Sequence, residues 1–300
     1  MPEGHSVRRL ARQFEDVFRG EALAVSSPQG RFAAGAALLD GRTLTRSRAH
    51  GKHLFLHFDN AAVLHVHLGL YGAWDFGGDS AFRGASSIGA PRKVGERETF
   101  DDGTEPGTES AYGGPPHPVG AVRVRLVGPH GWADLRGATT CAAITEPEAA
   151  AVLARLGPDP LRNLPADKGR FVAGMQARKT PIAALLMDQK VIAGVGNVYR
   201  AEVLFRQRLD PLLPGTSLAR EAAELLWDDT AAVMSNGVRD GRIITTAAVY
   251  WGDGAGLPAG DEAHYVYKRQ GLPCRVCAVP VALAELGGRK LYWCPGCQQP

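Results

Sequence analysis

The spacing of apolar positions changes character twice along the chain. Val7, Leu10, Ala11, Phe14, Val17 and Phe18 recur at helical spacing and predict an amphipathic helix from about Ser6 to Phe18. Strand patterns follow: Leu54–Phe58 and Val63–Leu68 are separated by Asp59-Asn60-Ala61-Ala62, as in a hairpin. Val122–Leu126 alternates cleanly, and Gly128-Pro129-His130-Gly131 then turns the chain toward another strand. From Glu146 the period becomes helical, with helices predicted over 147–156, 169–177, 181–188, 198–208 and 217–234, broken by Pro158, Pro160, Pro211 and Pro214. The segment after His264 is short, turn-rich and cysteine-bearing.

A length of 300 residues exceeds the roughly 100–200 of one domain, so more than one is expected. The patterns predict an α+β chain divided as 1–157, 158–260 and 261–300. Residues 76–120 are rich in Gly, Pro, Ser and acids, with too little apolar surface to order themselves, and read as a mostly disordered insertion. No apolar run approaches the roughly 18 residues of a membrane span and no signal region opens the chain, so no membrane association and a cytoplasmic address are expected.

The net charge of +3 conceals an uneven distribution. Between Arg162 and Arg208 stand nine bases (Arg162, Lys168, Arg170, Arg178, Lys179, Lys190, Arg200, Arg206, Arg208) against three acids (Asp167, Asp188, Glu202), whereas 75–118 carries four more acids than bases. A basic middle suits a polyanionic partner.

Four of the five cysteines form two Cys-x-x-Cys pairs, Cys274/Cys277 and Cys294/Cys297, separated by 16 residues. That spacing suits a tetrahedral zinc site, and four thiolates leave no open position for water, so one structural zinc ion is expected. A redox dithiol is the alternative. Cys141, alone in a strand-like stretch, reads as a small buried hydrophobe. At the other end, Met1-Pro2-Glu3-Gly4 invites removal of Met1, leaving Pro2 as a secondary amine. With an α-amino pKa of roughly 8 such an amine is substantially unprotonated at neutral pH and can attack a sugar carbon. Taken alone, the same stretch reads better as an ordinary terminus.

Together the two ends, with Arg178–Ile182, Met187–Lys190 and Ile192–Glu202 between them, resemble the formamidopyrimidine-DNA glycosylase/endonuclease VIII family. Gly288–Gln298 and His67-Leu68-Gly69-Leu70-Tyr71-Gly72 are similar to its endonuclease VIII branch. The resemblance implies an N-terminal β-sandwich with an N-terminal helix, a helix–two-turn–helix domain and a zinc-finger hairpin. It also implies a monomeric bifunctional DNA glycosylase/abasic-site lyase acting on damaged DNA, whether duplex, bubble or single-stranded, without an organic cofactor. By that resemblance Pro2 attacks C1′, Glu3 assists sugar opening, and Lys52 contacts phosphate and serves the elimination. Asn197 and Arg289 hold phosphates at the lesion, Arg289 counting also with the catalytic set, and Arg136 is a weaker match to a DNA-contacting strand arginine. Leu70 and Tyr71 would fill the gap left by the extruded nucleotide, which points to oxidised pyrimidines. Each has a bland reading: a surface lysine, a helix N-cap at Asn197, a solvated hairpin arginine, a core-facing Leu-Tyr turn.

Two departures stand out. His5-Ser6 occupy positions where the family often has Pro-Glu, leaving Ser6 as a candidate cap for the first helix, and the insertion is long. The competing classes are a zinc-ribbon DNA binder without catalysis, for which a secondary amine beside a carboxylate has no use, and a hydrolytic nuclease, which would need a carboxylate metal site.

Overall fold

In the computed structural model the first helix, α1, runs Gly4–Phe18, two residues longer than its apolar spacing predicts. Its N-cap is Glu3, in extended conformation, and Ser6 lies inside the first turn rather than capping it. Val7, Leu10, Ala11, Phe14 and Phe18 form its buried face, with Phe14 edge-on to Trp74 at 4.9 Å. The structure describes residues 2–80, 82–90, 114–252 and 256–299. They fall into two compact units, Met1–Ala154 and Arg155–Pro300.

In the first unit α1 is followed by β1 (Ala22–Ser26), α2 (Ala33–Leu39), β2 (Arg42–His50), β3 (His53–Phe58) and β4 (Ala62–His67). Then come β5 (Ala73–Gly78), β6 (Ser87–Gly89), β7 (Val122–Val127), β8 (Gly131–Arg136), β9 (Thr140–Thr145) and α3 (Glu146–Ala154). The strands run in the order β6-β5-β8-β7-β1-β2-β3-β4-β9. β1 and β2 share only the register pairs Ala22↔Thr43 and Leu23↔Arg42, so the order divides there into two layers. Apolar residues of both layers, Leu54, Leu64 and Val66 from one and Trp74, Val124 and Leu135 from the other, enclose α1 in one core. This is the expected β-sandwich.

The disorder expected over 76–120 does not hold at its start. Phe76–Gly78 continue β5 against β8, and β6 pairs with β5 through Trp74↔Ile88. Ala85 and Ile88 are buried, and the Gln13 side chain both donates to Ala85 O and accepts from Ala85 N, each at 2.9 Å. The segment orders because α1 satisfies its backbone, which its own composition could not reveal. At its end, too, the stretch is held, Pro116 O accepting from Arg125 and Val119 O from Arg136, while residues 81 and 91–113 lie outside the described residues.

The second unit holds α4 (Asp167–Gln176), α5 (Ile182–Leu185), α6 (Asn197–Arg206), α7 (Arg220–Asp240) and the hairpin β10 (Ala282–Leu286)/β11 (Arg289–Trp293). α7 outruns its predicted end at residue 234 because Gly237 and Val238 keep the buried face going until Gly241, at φ +72°, supplies the left-handed terminus. Between α5 and α6 the chain makes two turns stapled by Gln189, whose side chain donates to Met187 O and Val195 O and accepts from Gly194 N. Gly157 packs so closely on this loop that a Cβ would stand 2.7 Å from Lys190 O. The hairpin shares its core with these helices and with the segment before it: Leu291 is buried with Tyr199, Leu226 and Trp227, while Tyr292 and Cys294 pack with Ala201 and Phe205 of α6 and with Tyr265, Val266 and Val281.

Candidate functional site

In the first unit the candidate groups cluster at chain ends and turns. Pro2 is buried, and Glu3 is 0% exposed at the head of α1, its carbonyl accepting from Ser6 N at 3.1 Å. A helix N-terminus favours a carboxylate at that point. His5 behind it is held neutral, its pKa pushed down to about 3 by burial and then by Arg9.

Lys52 sits in the two-residue turn between β2 and β3, partly exposed. Gly51 takes φ +54° there, the conformation that the first position of such a hairpin turn demands. A stack of histidines from β3 and β4 lies against this turn.

Leu70 and Tyr71 cap the β4–β5 turn and are 43% and 81% exposed, so the core-facing alternative fails. The turn is braced from behind. Thr139 N donates to His67 O at 3.0 Å, and a Cβ on Gly69 (φ +68°) would collide with the Thr139 hydroxyl.

Arg136 is half-buried, its guanidinium clasped by the Asp75 carboxylate and the Val119 carbonyl. Its interactions are thus internal to the sandwich, and a DNA contact would have to displace or share them.

In the second unit Asn197 is the first residue of α6, and the N-cap is Gly196, so the cap reading of Asn197 is corrected. Its side chain is 7% exposed, donating to Lys290 O at 3.0 Å and accepting from the buried Arg200. Arg200 also donates to Lys290 O, at 2.8 Å. The pair therefore fixes β11 to α6 by the residue next to Arg289. Arg289 itself is exposed at the head of β11, directly after the Gly287-Gly288 turn, whose φ values of +59° and +70° suit two glycines.

The four cysteine sulfurs all lie within 4.8 Å of one another, with Cys277–Cys294 at 3.4 Å and Cys274–Cys297 at 3.9 Å. A tetrahedral ion with metal–sulfur bonds of about 2.3 Å would space its ligands about 3.8 Å apart, so the donor set fits a metal. Gln298 locks the knuckle to the helical core, accepting from Cys294 N and donating to Leu209 O, both at 2.9 Å.

Sequence reasoning passed over Glu202. It is 0% exposed and accepts from the Thr245 hydroxyl and from Tyr265 N, Val266 N and Tyr267 N at 2.8–2.9 Å, tying the segment after α7 to α6. The available signal was a carboxylate set among Val198, Tyr199, Ala201, Val203 and Leu204.

The sequence matches the Formamidopyrimidine-DNA glycosylase N-terminal domain over residues 1–109 and the Formamidopyrimidine-DNA glycosylase H2TH domain over residues 156–248. It is 44% identical to Endonuclease 8 1 of Mycobacterium tuberculosis, across 99% of this chain and all of that one. The chain belongs to the formamidopyrimidine-DNA glycosylase/endonuclease 8 family. It is a glycosylase of the DNA repair class that carries abasic-site lyase activity, and it acts on damaged DNA. Formamidopyrimidine-DNA glycosylase of Thermus thermophilus is 41% identical over 148 residues, about half of each chain. The crystal structure of the MutM (Fpg) protein of that organism overlays on this glycosylase with a TM-score of 0.68 at 27% identity, covering 99% of this chain and 98% of that one. The Lactococcus lactis Fpg, in complex with abasic-site-containing DNA, shares the fold of this glycosylase at a TM-score of 0.72 and 18% identity, covering 99% of this chain and all of that one.

Proposed function

We propose that this glycosylase removes oxidised pyrimidines through a Schiff base on Pro2 and then cuts the strand by β- or β,δ-elimination. The observation that carries the reading is the fully buried Glu3 carboxylate at the head of α1, covalently next to Pro2. Loss of Met1 makes Pro2 a secondary amine whose lone pair forms the bond to C1′ while the base departs with the electrons of the glycosidic bond. The N–H proton that Pro2 sheds after attack is relayed by Glu3 to O4′ as the sugar opens, leaving a C1′ iminium. The iminium acidifies C2′–H, Lys52 serves the proton transfers, and loss of that proton expels the 3′ phosphate. A preference for pyrimidines is supported by the exposed Leu70-Tyr71 turn and by the Endonuclease 8 relative that spans the whole chain.

Asn197 and Arg289 are assigned to the phosphates at the lesion, Asn197 through the backbone it orders and Arg289 through its exposed guanidinium, whose fork suits phosphate. Arg136 joins them only if its Asp75 clasp opens. Cys274, Cys277, Cys294 and Cys297 are assigned to one zinc ion, which when bound holds the hairpin and, with four ligands, has no place for substrate. The protein is read as a cytoplasmic monomer on DNA.

The test is borohydride trapping of Met1-processed protein on a strand bearing an abasic site or an oxidised pyrimidine, beside Pro2→Gly and a Met1-retaining form. A covalent band from the processed protein alone is expected. DNA binding without any trapped band would leave a non-catalytic zinc-bearing binder as the better reading.

A further inference from the structure

On the outer face of the β2-β3-β4-β9 layer, three histidines crowd against the turn that carries Lys52. His53, the residue after Lys52, pairs with His67 across β3 and β4 and reaches diagonally to His65. Its Nδ1 stands 2.9 Å from His65 Nε2, with the two rings 5.1 Å apart and 15° from parallel. His65 is 7% exposed and stacks on Phe55 at 4.8 Å, while the His67 ring lies 4.9 Å from His53. His67 Nδ1 accepts from Gly69 N at 3.2 Å, so the cluster also reaches the turn that carries Leu70 and Tyr71.

We propose that His53 and His65 form a hydrogen-bonded imidazole pair that fixes the Lys52 turn on β4, and that both are positioning residues for strand cleavage. This rests on the role assigned to Lys52 above. Two neutral imidazoles share a single proton in such a bond, and a proton added at the accepting nitrogen would set N–H against N–H. The surroundings keep His53 neutral. His50 of β2, Lys52 of the turn and His67 of β4 all face it with positive or potentially positive charge, Arg48 stands opposite Phe55, and β9 presents only Thr140 and Ala142. Burial, followed by those histidines and Lys52, pushes His53 down to about 3, and burial with Lys52 lowers His67. Lys52 is thus anchored through its neighbour without a second cation beside it. An arginine or lysine in place of His65 could not serve, because it would lodge a fixed charge there.

Three variants test the pair on DNA with a preformed abasic site: His65→Leu, His53→Phe and His65→Gln. A displacement of about 1 Å in a group taking part in the chemistry can cost roughly 100-fold, so His65→Leu and His53→Phe should cut roughly 10- to 100-fold more slowly at saturating DNA. The yield of borohydride-trapped complex at saturating DNA, which depends on Pro2, should stay at the wild-type level, and half-saturating DNA should rise by less than cutting falls, since one phosphate contact of several is disturbed. His65→Gln, whose amide can donate or accept at the same place, should return to within about threefold of wild type. His53→Phe retains an aromatic ring over Phe55 and gives a second, independent reading should His65→Leu not fold. Cutting by both variants within about twofold of wild type, trapping that falls in step with cutting, or a glutamine variant as slow as the leucine one would each overturn the proposal. Wild-type protein that neither traps nor cuts would bring down the glycosylase chemistry itself, and the role of the pair with it.

Discussion

At the residue scale, several groups in this protein are shaped by having been removed from water. His5 and His53 are both held neutral by burial, with folded pKa values of about 3 against an ordinary 6.5. Between those limits the unfolded chain takes up protons that the folded one refuses, so stability is full above about pH 6.5 and is lost as the pH falls toward 3. The loss should be on the order of 1–2 kcal/mol per histidine by pH 5. Urea unfolding at pH 7.5 and pH 5 measures it, and His5→Gln should flatten the difference. Identical pH dependence in that variant would show that His5 is not a source. Glu202 makes the opposite case, a buried carboxylate stabilised by four donors where each donor left unmet would cost about 1–3 kcal/mol.

At the element scale, short hairpins carry the candidate chemistry, and an isolated hairpin is marginal in water. The β2–β3 turn is held by its layer and, as proposed, by the His53–His65 pair. The β10–β11 hairpin has only two strands, and it depends on Leu291, on the Asn197–Arg200–Lys290 bonds and on the cysteine cluster. Metal analysis should find one zinc per chain. Chelation or Cys277→Ser should lower the melting temperature by several degrees and weaken DNA binding by roughly tenfold or more, since metal binding is part of folding in such knuckles. Full affinity and an unchanged melting curve after verified metal removal would exclude a structural role for the ion.

At the scale of the whole molecule, charge that looks available in the sequence is partly committed in the fold. Of the nine bases between Arg162 and Arg208, Lys168 pairs with Asp228, Arg170 with Asp167, Arg178 with Asp188 and Arg206 with Asp229, and Arg200 is buried. Arg162 is likewise engaged, which leaves Lys179, Lys190 and Arg208 as the bases proposed to meet phosphate, with Lys52 and Arg289 assigned there too. With about 0.9 counterion released per phosphate contact on duplex DNA, log affinity should fall with log salt at a slope of about −5. A slope of roughly −8 or steeper would mean that the internal pairs open on DNA.

The chain's own pattern determined much of this. Helical spacing fixed α1, the two Cys-x-x-Cys pairs fixed the metal-ready cluster, and period-two and period-3.6 stretches separated sandwich from helices. All of these are local: they follow from which residues lie within a few positions of one another. What the tertiary structure alone decided was non-local. The stretch around Ala85 is ordered because Gln13, 72 positions away, meets its backbone. Arg136 is turned inward by Asp75, Asn197 by Lys290, and three histidines from two strands meet at one turn. No spacing rule reports such meetings, because the hydrogen bonds that fix them form only when distant strands are already in register.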